Sequence, residues 1–458
     1  MTAGEEPTQG DTFFDSHLHA FDLTHPDYLA FVRRFTLRPL LVALASSVGW
    51  LAAALASALR LTPRLRERLM DWIDRRLLRI RNLLAVMQYD LGAQFLLLED
   101  DLRKGDAPLL RQGKLQIAGH TYTSIVLTPL MMDFDPEDPD DLRLSHRVRA
   151  QRFRYSHPVE RKIVKQVLDL ERGIRRYRDS GTTTKLPKGL PRLAGTPRVF
   201  EIYPFLGLNP RNYATLDKQN DLLAKYFSGY TGRRADLREH MGRFDGDIDR
   251  LGDHAFAGVK LYPPLGFHPW PPERGKRGRE ERSKVRALYR FCEERGIPIT
   301  VHGGSGGFAV LKRRKLKAYT AIANWEQVLA EFPALRICIA HFPVKEYLLW
   351  KIRNPFHPLQ RRLMRLVIDH PNVYVDISCR ATKPSYYRKL KRALRRLPQG
   401  DAEKLRRRVL FGTDFSIHLM WIDAYARFYR LFADTPHLSP EEKHRLCSTN
   451  PAEFLFRE

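Results

Sequence analysis

The sequence predicts an α/β protein built as a (β/α)8 barrel, and three observations support this fold class. Eight short apolar runs are typical of strands, and most are nearly continuous, as in parallel strands buried on both faces. Helix-like stretches ending at Gly or Pro precede several later runs, as Ser283–Arg295 precedes Gly296. The last five runs begin 36 to 40 residues apart, which fits one strand, one loop and one helix per repeat.

The predicted strands follow one another in a single series along the chain. They are Phe13–His19, Ser124–Met131, Arg198–Leu206, Ala257–Leu261, Ile297–His302, Arg336–His341, Asn372–Ser378 and Arg408–Asp414. An open doubly wound sheet is the alternative architecture. It is disfavoured because no Gly-x-Gly-x-x-Gly turn follows the first run.

The chain is predicted to form one domain, residues 1–458, with two insertions. Hydrophobic residues make up 43% of its 458 residues, enough for a large core. A long helical insertion, 38–114, follows the first strand, and a loop and helix insertion, 134–197, follows the second. Because loops after barrel strands lie at the catalytic end, we expect the second insertion to shape access to the site.

The first insertion raises the question of a membrane. Pro39–Leu59 carries no charge, and Leu61–Met87 is amphipathic and rich in arginine. Spanning a bilayer would separate the first strand from all later ones, so we favour a helical hairpin packed over the barrel mouth. Peripheral membrane contact through residues 39–87 remains the alternative.

Charge and cysteine content narrow the protein's class. The formal net charge is +26, but the basic residues are spread over many segments and form no nucleic-acid module, so nucleic acid is not an expected partner. The four cysteines form no Cys-x-x-Cys pair, and the N-terminus lacks an apolar secretory segment. We expect a cytoplasmic or membrane-peripheral protein that acts on a small molecule; a homo-oligomer remains open.

Histidine and aspartate recur where predicted strands end. His17 and His19 lie two residues apart on the first strand, so they point to the same side. His302, His341 and Asp414 each close a later apolar run. Barrel enzymes build their sites at the carboxyl ends of their strands, and imidazoles with a carboxylate suit zinc or a similar divalent ion. The pattern therefore predicts a metal site.

Further polar residues accompany this set. Lys260 lies inside the fourth predicted strand, where a lysine is costly unless it is paired, neutralised or modified. Lys260, Tyr262 and Arg380 could receive a carboxylate or phosphate of the substrate. Asp376 lies within the seventh strand, where it could bond site residues or be purely structural. Gly303–Gly307 lacks the Lys-Ser/Thr ending of a phosphate loop, so a lid or a close approach to substrate is expected.

These residues resemble those of the amidohydrolase superfamily, in particular its amidohydrolase-related branch of hydrolases and non-oxidative decarboxylases. Asp15, His17 and His19 match the first-strand Asp-x-His-x-His, and His302, His341 and Asp414 match the strand-five, strand-six and strand-eight residues. Val259–Pro263 resembles the dihydroorotase segment whose lysine is carboxylated, and Asn450–Leu455 resembles the closing helix. The resemblance covers 11–35 and most of 115–458.

The resemblance implies two metal arrangements. In the first, one ion is held by His17, His19, His302 and Asp414, while His341 polarises the substrate carbonyl or the water. In the second, a carboxylated Lys260 bridges two ions, one on His17, His19 and Asp414 and the other on His302 and His341. We lean towards one essential metal, most simply Zn²⁺, with Lys260 bridging a second ion or contacting an anionic substrate group.

The implied reaction is hydrolysis of a C–N or C–O acyl bond. Asp414 is expected to act as general base, and Asp15 to steady the first histidines from behind. A non-oxidative decarboxylase on the same site is the second hypothesis. The third is a barrel with a minor catalytic role that associates with membrane or nucleic acid.

Overall fold

The computed structural model describes six stretches of the chain. These are residues 12–25 (except 20 and 24), 82–134 (except 106), 163–180, 197–243, 251–344 (except 305, 310 and 312) and 358–457. Within them the strands are β1 (Thr12–His19), β2 (Leu110–Arg111), β3 (Lys114–Ile117), β4 (His120–Tyr122), β5 (Ser124–Leu130), β6 (Phe200–Ile202), β7 (Phe205–Gly207), β8 (Gly258–Leu261), β9 (Ile299–Val301), β10 (Ile337–Ile339), β11 (Val373–Asp376) and β12 (Val409–Leu410).

Helices fill the connections between the strands. They are α1 (Leu91–Arg103), α2 (Ile163–Asp179), α3 (Leu216–Phe227), α4 (Arg234–Arg243), α5 (Gly275–Arg295), α6 (Arg313–Tyr319), α7 (Ile322–Glu331), α8 (Pro358–Asp369), α9 (Pro384–Arg395), α10 (Gln399–Arg406), α11 (Tyr425–Ala433), α12 (Pro440–His444) and α13 (Asn450–Leu455). Residues 82–87 are also helical.

The main sheet is a barrel of parallel strands. Its order is β1-β5-β7-β8-β9-β10-β11-β12, and β6 pairs with β5 beside this path. The barrel closes where β1 meets the chain after β12: Ser16 N–H donates to the Phe411 carbonyl (3.1 Å), and Leu18 forms a parallel bridge with Phe415. The predicted (β/α)8 barrel is therefore confirmed.

The strands are nearly continuous runs of apolar residues because both faces of each strand are buried. Every residue of β1, β5, β8 and β11 is buried, including the polar ones that close the runs. Most of the predicted strands are shorter in the structure, and two differ most from expectation. The run Arg198–Leu206 divides into β6 and β7 at Tyr203–Pro204, where proline has no N–H to donate. The last predicted run is a strand only over Val409–Leu410, and it ends well before Asp414, whose φ is 65°.

A small antiparallel sheet, β2-β3-β4, is a feature that we did not predict. It begins within the insertion 38–114, which is therefore not helical throughout. β3 alternates exposed and buried residues, and its two turns, Gln112–Gly113 and Ala118–Gly119, have positive φ at both positions. Such turns match the twist of a hairpin. Period-two alternation beside two X-Gly pairs was the signal in the sequence.

The described parts of the two insertions pack against each other through α1 and α2. Tyr177 donates its hydroxyl hydrogen to the Glu99 carboxylate, and the Tyr177 and Phe95 rings lie 6.0 Å apart. Among the described residues, no helix is both long and apolar enough to cross a membrane. Pro39–Leu59 and most of Leu61–Met87 lie outside the described residues, so the expected hairpin over the mouth remains a prediction.

Candidate metal centre and active site

The site is built where β1 ends beside the chain that follows β12. His17 Nε2 lies 3.5 Å and His19 Nε2 lies 3.0 Å from the same carboxylate oxygen, Asp414 Oδ1. All three side chains are buried, and neither His17 Nε2 nor Asp414 Oδ1 has a hydrogen bond of acceptable geometry. Asp414 reaches this position with a left-handed φ of 65°. Three atoms with lone pairs thus face one small volume.

Asp376, at the end of β11, holds His17 in place. Its Oδ2 accepts a hydrogen bond from His17 Nδ1 (2.7 Å), which leaves His17 Nε2 free to face Asp414. Its other oxygen accepts from the backbone N–H groups of His341 (2.9 Å) and Ser378 (3.0 Å). Burial favours the neutral acid, but attraction and hydrogen bonding to His17 outweigh it, so the pKa of Asp376 lies below its ordinary value.

The remaining two histidines form a short chain towards the mouth. His302 Nε2 donates to the Gly306 carbonyl (2.7 Å), so in the neutral ring its Nδ1 accepts from His341 Nε2–H (3.1 Å). Burial lowers the pKa of His341 to about 3, so this ring is neutral over the physiological range. His302 and His341 therefore turn one nitrogen each towards the other.

Lys260 is buried in β8 with its ammonium group near the site carboxylates. Its Nζ has no hydrogen-bond partner among the described residues and lies 5.9 Å above the Tyr262 ring. Burial lowers the pKa of Lys260 to about 8, although Asp376 and Asp414 oppose that shift. A substantial fraction of this lysine is thus neutral near pH 8, the form that can react as an amine.

Asp15 turns away from this volume and joins β1 to the chain after β12. It accepts hydrogen bonds from the backbone N–H of Thr413 (2.9 Å), the Thr413 hydroxyl (2.7 Å) and the Tyr425 hydroxyl (2.9 Å). Burial raises the pKa of Asp15 to about 7, against these bonds. Its contact with the site is the backbone N–H of His17, 3.4 Å away.

The mouth of the barrel is a cavity of about 150 Å³ beside these residues. Arg380 and Trp421 line its outer part, while Tyr262 and Phe308 line one wall. The Tyr262 hydroxyl accepts the backbone N–H of Phe308 (3.0 Å), and its ring stacks on His302 at 4.3 Å. The glycine-rich loop therefore approaches the site closely, as expected for that segment.

The donor set fits a divalent metal ion. His17, His19 and Asp414 offer atoms that all lie within 4.8 Å of one another, as do His17, His341 and Asp376. The first group is the better candidate because its nitrogen and oxygen atoms lack other partners, whereas Asp376 is committed to four hydrogen bonds. Of the six predicted ligands, the structure thus brings three together; His302, His341 and Lys260 lie around them.

Three residues of the site were not anticipated from the sequence. The Ser378 hydroxyl donates to Asp376 and lies 2.9 Å from His341 Nδ1 and 3.2 Å from His17 Nδ1. Thr413 and Tyr425 hold Asp15. Ser378 could have been found, because it stands two residues after Asp376 at a predicted strand end. Tyr425 could not, since nothing in its surroundings along the chain points to Asp15.

Comparisons with known proteins agree with this description. A family model described as Amidohydrolase matches residues 211–457, more than half of the chain. A comparison of the sequence with curated proteins found no match. Among solved structures, the 5-carboxyvanillate decarboxylase of Novosphingobium aromaticivorans is 12% identical, with 98% of this chain and 97% of that chain covered and a TM-score of 0.42.

Two further solved structures illustrate the range of similarity. A probable 2-pyrone-4,6-dicarboxylic acid hydrolase from Acinetobacter baumannii is 12% identical, with 73% of this chain and 84% of that chain covered and a TM-score of 0.37. The dihydroorotase of Campylobacter jejuni is 14% identical, with 71% of this chain and 74% of that chain covered and a TM-score of 0.31. Similarities this weak do not bear on the reaction.

Proposed function

The chain belongs to the amidohydrolase family, and from this premise we propose that it is a metal-dependent hydrolase that cleaves a C–N or C–O acyl bond of a small anionic substrate. The observation that carries the proposal is the convergence of His17 Nε2 and His19 Nε2 on Asp414 Oδ1, with two of the three atoms lacking hydrogen bonds. Buried polar atoms without partners are costly, so a bound ion accounts for them.

His17, His19 and Asp414 would hold the ion, most simply Zn²⁺, with His302 as a further ligand after a change of its ring partners. A bound divalent ion would supply Lewis acidity, lowering the pKa of water to about 7 and polarising a carbonyl. Asp376 fixes the tautomer and orientation of His17, as carboxylates commonly do for ligating histidines.

The side chains around the proposed ion would act as the general base and as the groups that bind the substrate. Burial favours neutral Asp414, but its close contacts with the surrounding histidines outweigh that effect and hold the Asp414 pKa well below its ordinary value. Asp414 is therefore an ionised base that can take a proton from water and pass it to the leaving group. Neutral His341 gives its one N–H to His302 in this structure, and once His302 changes partner that N–H can donate to the substrate carbonyl. Arg380 and Lys260 can receive the anionic group of the substrate.

Hydrolysis of a panel of N-acyl amino acids and lactones in ¹⁸O-labelled water tests this proposal. Asp414→Asn should retain much of the metal but lower the rate on the order of 10²–10⁴-fold. His120→Ala is the matched control, because His120 lies in the small antiparallel sheet and stacks on His444. Unchanged turnover in Asp414→Asn, or a metal content well below one equivalent per chain, would refute the proposal.

Non-oxidative decarboxylation on the same site is the second candidate. It is favoured by the buried Lys260 ammonium, which has no hydrogen-bond partner among the described residues and could hold a substrate carboxylate. The two reactions differ in their balance: decarboxylation replaces the carboxylate by a proton and releases carbon dioxide, with no ¹⁸O entering the product. Carbon dioxide release without label incorporation would select it.

Metal analysis of the wild type and of a Lys260 variant would show whether the site holds one ion or two. If Lys260 were carboxylated, it would help His302 and His341 to hold a second ion. Two equivalents of metal that fall to one in Lys260→Gln would support the bridge. One equivalent in both proteins would assign Lys260 to substrate binding.

A further inference from the structure

Positive charge is concentrated in one sector of the barrel wall. Residues 358–408, which include α8, β11, α9 and α10, contain 15 lysines and arginines and four aspartates and glutamates, a formal net charge of +11. The whole chain carries +26, so 51 of its 458 residues account for over two fifths of the net charge.

Helix α9 carries the most one-sided part of this charge. It contains no acidic residue, and its buried face consists of Tyr386, Tyr387, Leu390, Ala393 and Leu394. Its exposed face presents Arg388, Arg392 and Arg395, a stripe that runs about 10 Å along the helix. No ion pair within the described part of the chain involves Arg388 or Arg395.

The carboxylates of the sector are already occupied. Asp369 and Asp401 both pair with Arg365, at 2.9 and 3.6 Å, and Glu403 pairs with Arg445 at 2.5 Å. Asp376 is buried in the active site and bonds His17. None of these four carboxylates pairs with Arg388 or Arg395, so the charge of these two arginines is available to an anionic partner.

Two exposed apolar side chains lie towards the cavity end of the barrel, Leu359 within this sector and Trp421 beyond it in the sequence. Leu359 and Trp421 are 41% and 40% exposed, the two large hydrophobic side chains recorded as exposed among the described residues. Trp421 lines the cavity mouth. Leu359 is the second residue of α8, and barrel helices begin at the carboxyl end of the strands, where the site lies.

We propose that this sector, defined by the α9 stripe together with Leu359 and Trp421, docks on an anionic lipid bilayer. Leu359 and Trp421 would lie at the level of the headgroups, where a tryptophan ring is favoured, and the arginines would face lipid phosphates. The contact is peripheral, because the apolar face of α9 is already buried against the barrel. The cavity mouth would then open beside the membrane surface.

The exposed apolar residues favour a bilayer over a nucleic acid as the partner. A nucleic acid offers phosphates to the arginines, but it gives Leu359 no apolar medium in which to bury. A lipid surface satisfies both features at once, since it combines anionic headgroups with an apolar layer beneath them. The inference concerns a described surface and does not depend on residues 39–87 or on the reaction at the site.

Cosedimentation of the full chain with vesicles tests the proposal. We expect binding to phosphatidylcholine vesicles that contain phosphatidylserine, weak binding to phosphatidylcholine alone, and a steep loss with added salt. The triple variant Arg388→Gln, Arg392→Gln, Arg395→Gln should lower the partition constant on the order of 100-fold, from roughly five-fold for each arginine. Leu359→Ser should lower it several-fold without a change in charge.

The matched control removes the same charge elsewhere. The control is the triple variant Arg274→Gln, Lys276→Gln, Arg279→Gln, which alters exposed residues at the start of α5. Helix α5 follows β8, which lies three strands away from β11, the strand before α9, so this variant should bind vesicles nearly as wild type does. Equal losses in the two triple variants would overturn the proposal, as would vesicle binding that survives the α9 triple. Retention of duplex DNA that depends on the arginines but not on Leu359, without vesicle binding, would also overturn it.

Discussion

Asp376 orders the proposed metal centre without being one of its proposed ligands. It fixes the orientation of His17 through Nδ1 and also binds the backbone of His341. Asp376→Asn should weaken metal binding by roughly 10–100-fold, since partners of ligating histidines typically have effects of this size. Chelator competition measures this affinity, and Asp369→Asn on α8 is the control. Equal affinities in the two variants would contradict the assignment.

Gly307 shows how closely the backbone approaches the site. Its φ is 104°, and a Cβ atom there would lie 1.6 Å from the Tyr262 hydroxyl oxygen. Gly307→Ala should displace Tyr262 and lower both turnover and the free energy of unfolding, the latter by at least about 1–2 kcal/mol. Gly400→Ala, whose added Cβ meets nothing within 4 Å, should be nearly neutral. Urea unfolding and initial rates distinguish the two, and a Gly307→Ala protein indistinguishable from wild type would count against this reading.

At the scale of elements, α2 carries a buried acid that should make stability depend on pH. Burial raises the pKa of Glu171 to about 8, above its ordinary value of 4.5. The folded state therefore holds a proton that the unfolded chain releases, so this contribution to stability is full below pH 4.5 and is lost as the pH rises through 8.

Glu171→Gln should remove this dependence, because an amide keeps the shape of the acid and does not ionise. The variant should match wild type at pH 5 and exceed its free energy of unfolding at pH 8 by on the order of 3 kcal/mol. Urea unfolding at the two pH values measures the difference. Asp179→Asn, on the same helix and half-exposed, is the control. Parallel pH profiles for Glu171→Gln and wild type would show that Glu171 ionises normally.

At the scale of the whole molecule, the proposed metal centre lies between the two ends of the barrel sheet. His17 and His19 come from β1, and Asp414 comes from the chain after β12. A bound ion would therefore link the first and the last strand of the barrel. Zn²⁺ at about 100 times its dissociation constant should stabilise the fold by roughly 2.7 kcal/mol. Thermal unfolding after chelation and after reloading measures this. His17→Ala should lose the shift and His120→Ala should keep it; a shift of equal size in both would place the ion elsewhere.

Much of the site was visible in the sequence because barrel strands are apolar until they end. His302, His341 and Asp414 stand out for that reason, and the i, i+2 spacing of His17 and His19 puts both on one side of β1. The small antiparallel sheet was also readable, from the alternation of β3 and its two X-Gly turns. The amphipathic stretch Leu61–Met87, which precedes this sheet in the same insertion, has a helical pattern and obscures the signal.

The sequence by itself determined the barrel, its strand ends and the residue types gathered there, because burial on both faces requires continuous apolar runs. Only the tertiary structure decided which of those residues converge. His341 and Asp414 enter the site with left-handed φ values near 65°, and Asp15 turns instead to Thr413 and Tyr425. Such directions depend on contacts between residues far apart along the chain, 398 positions for Asp15 and Thr413, which local patterns cannot encode.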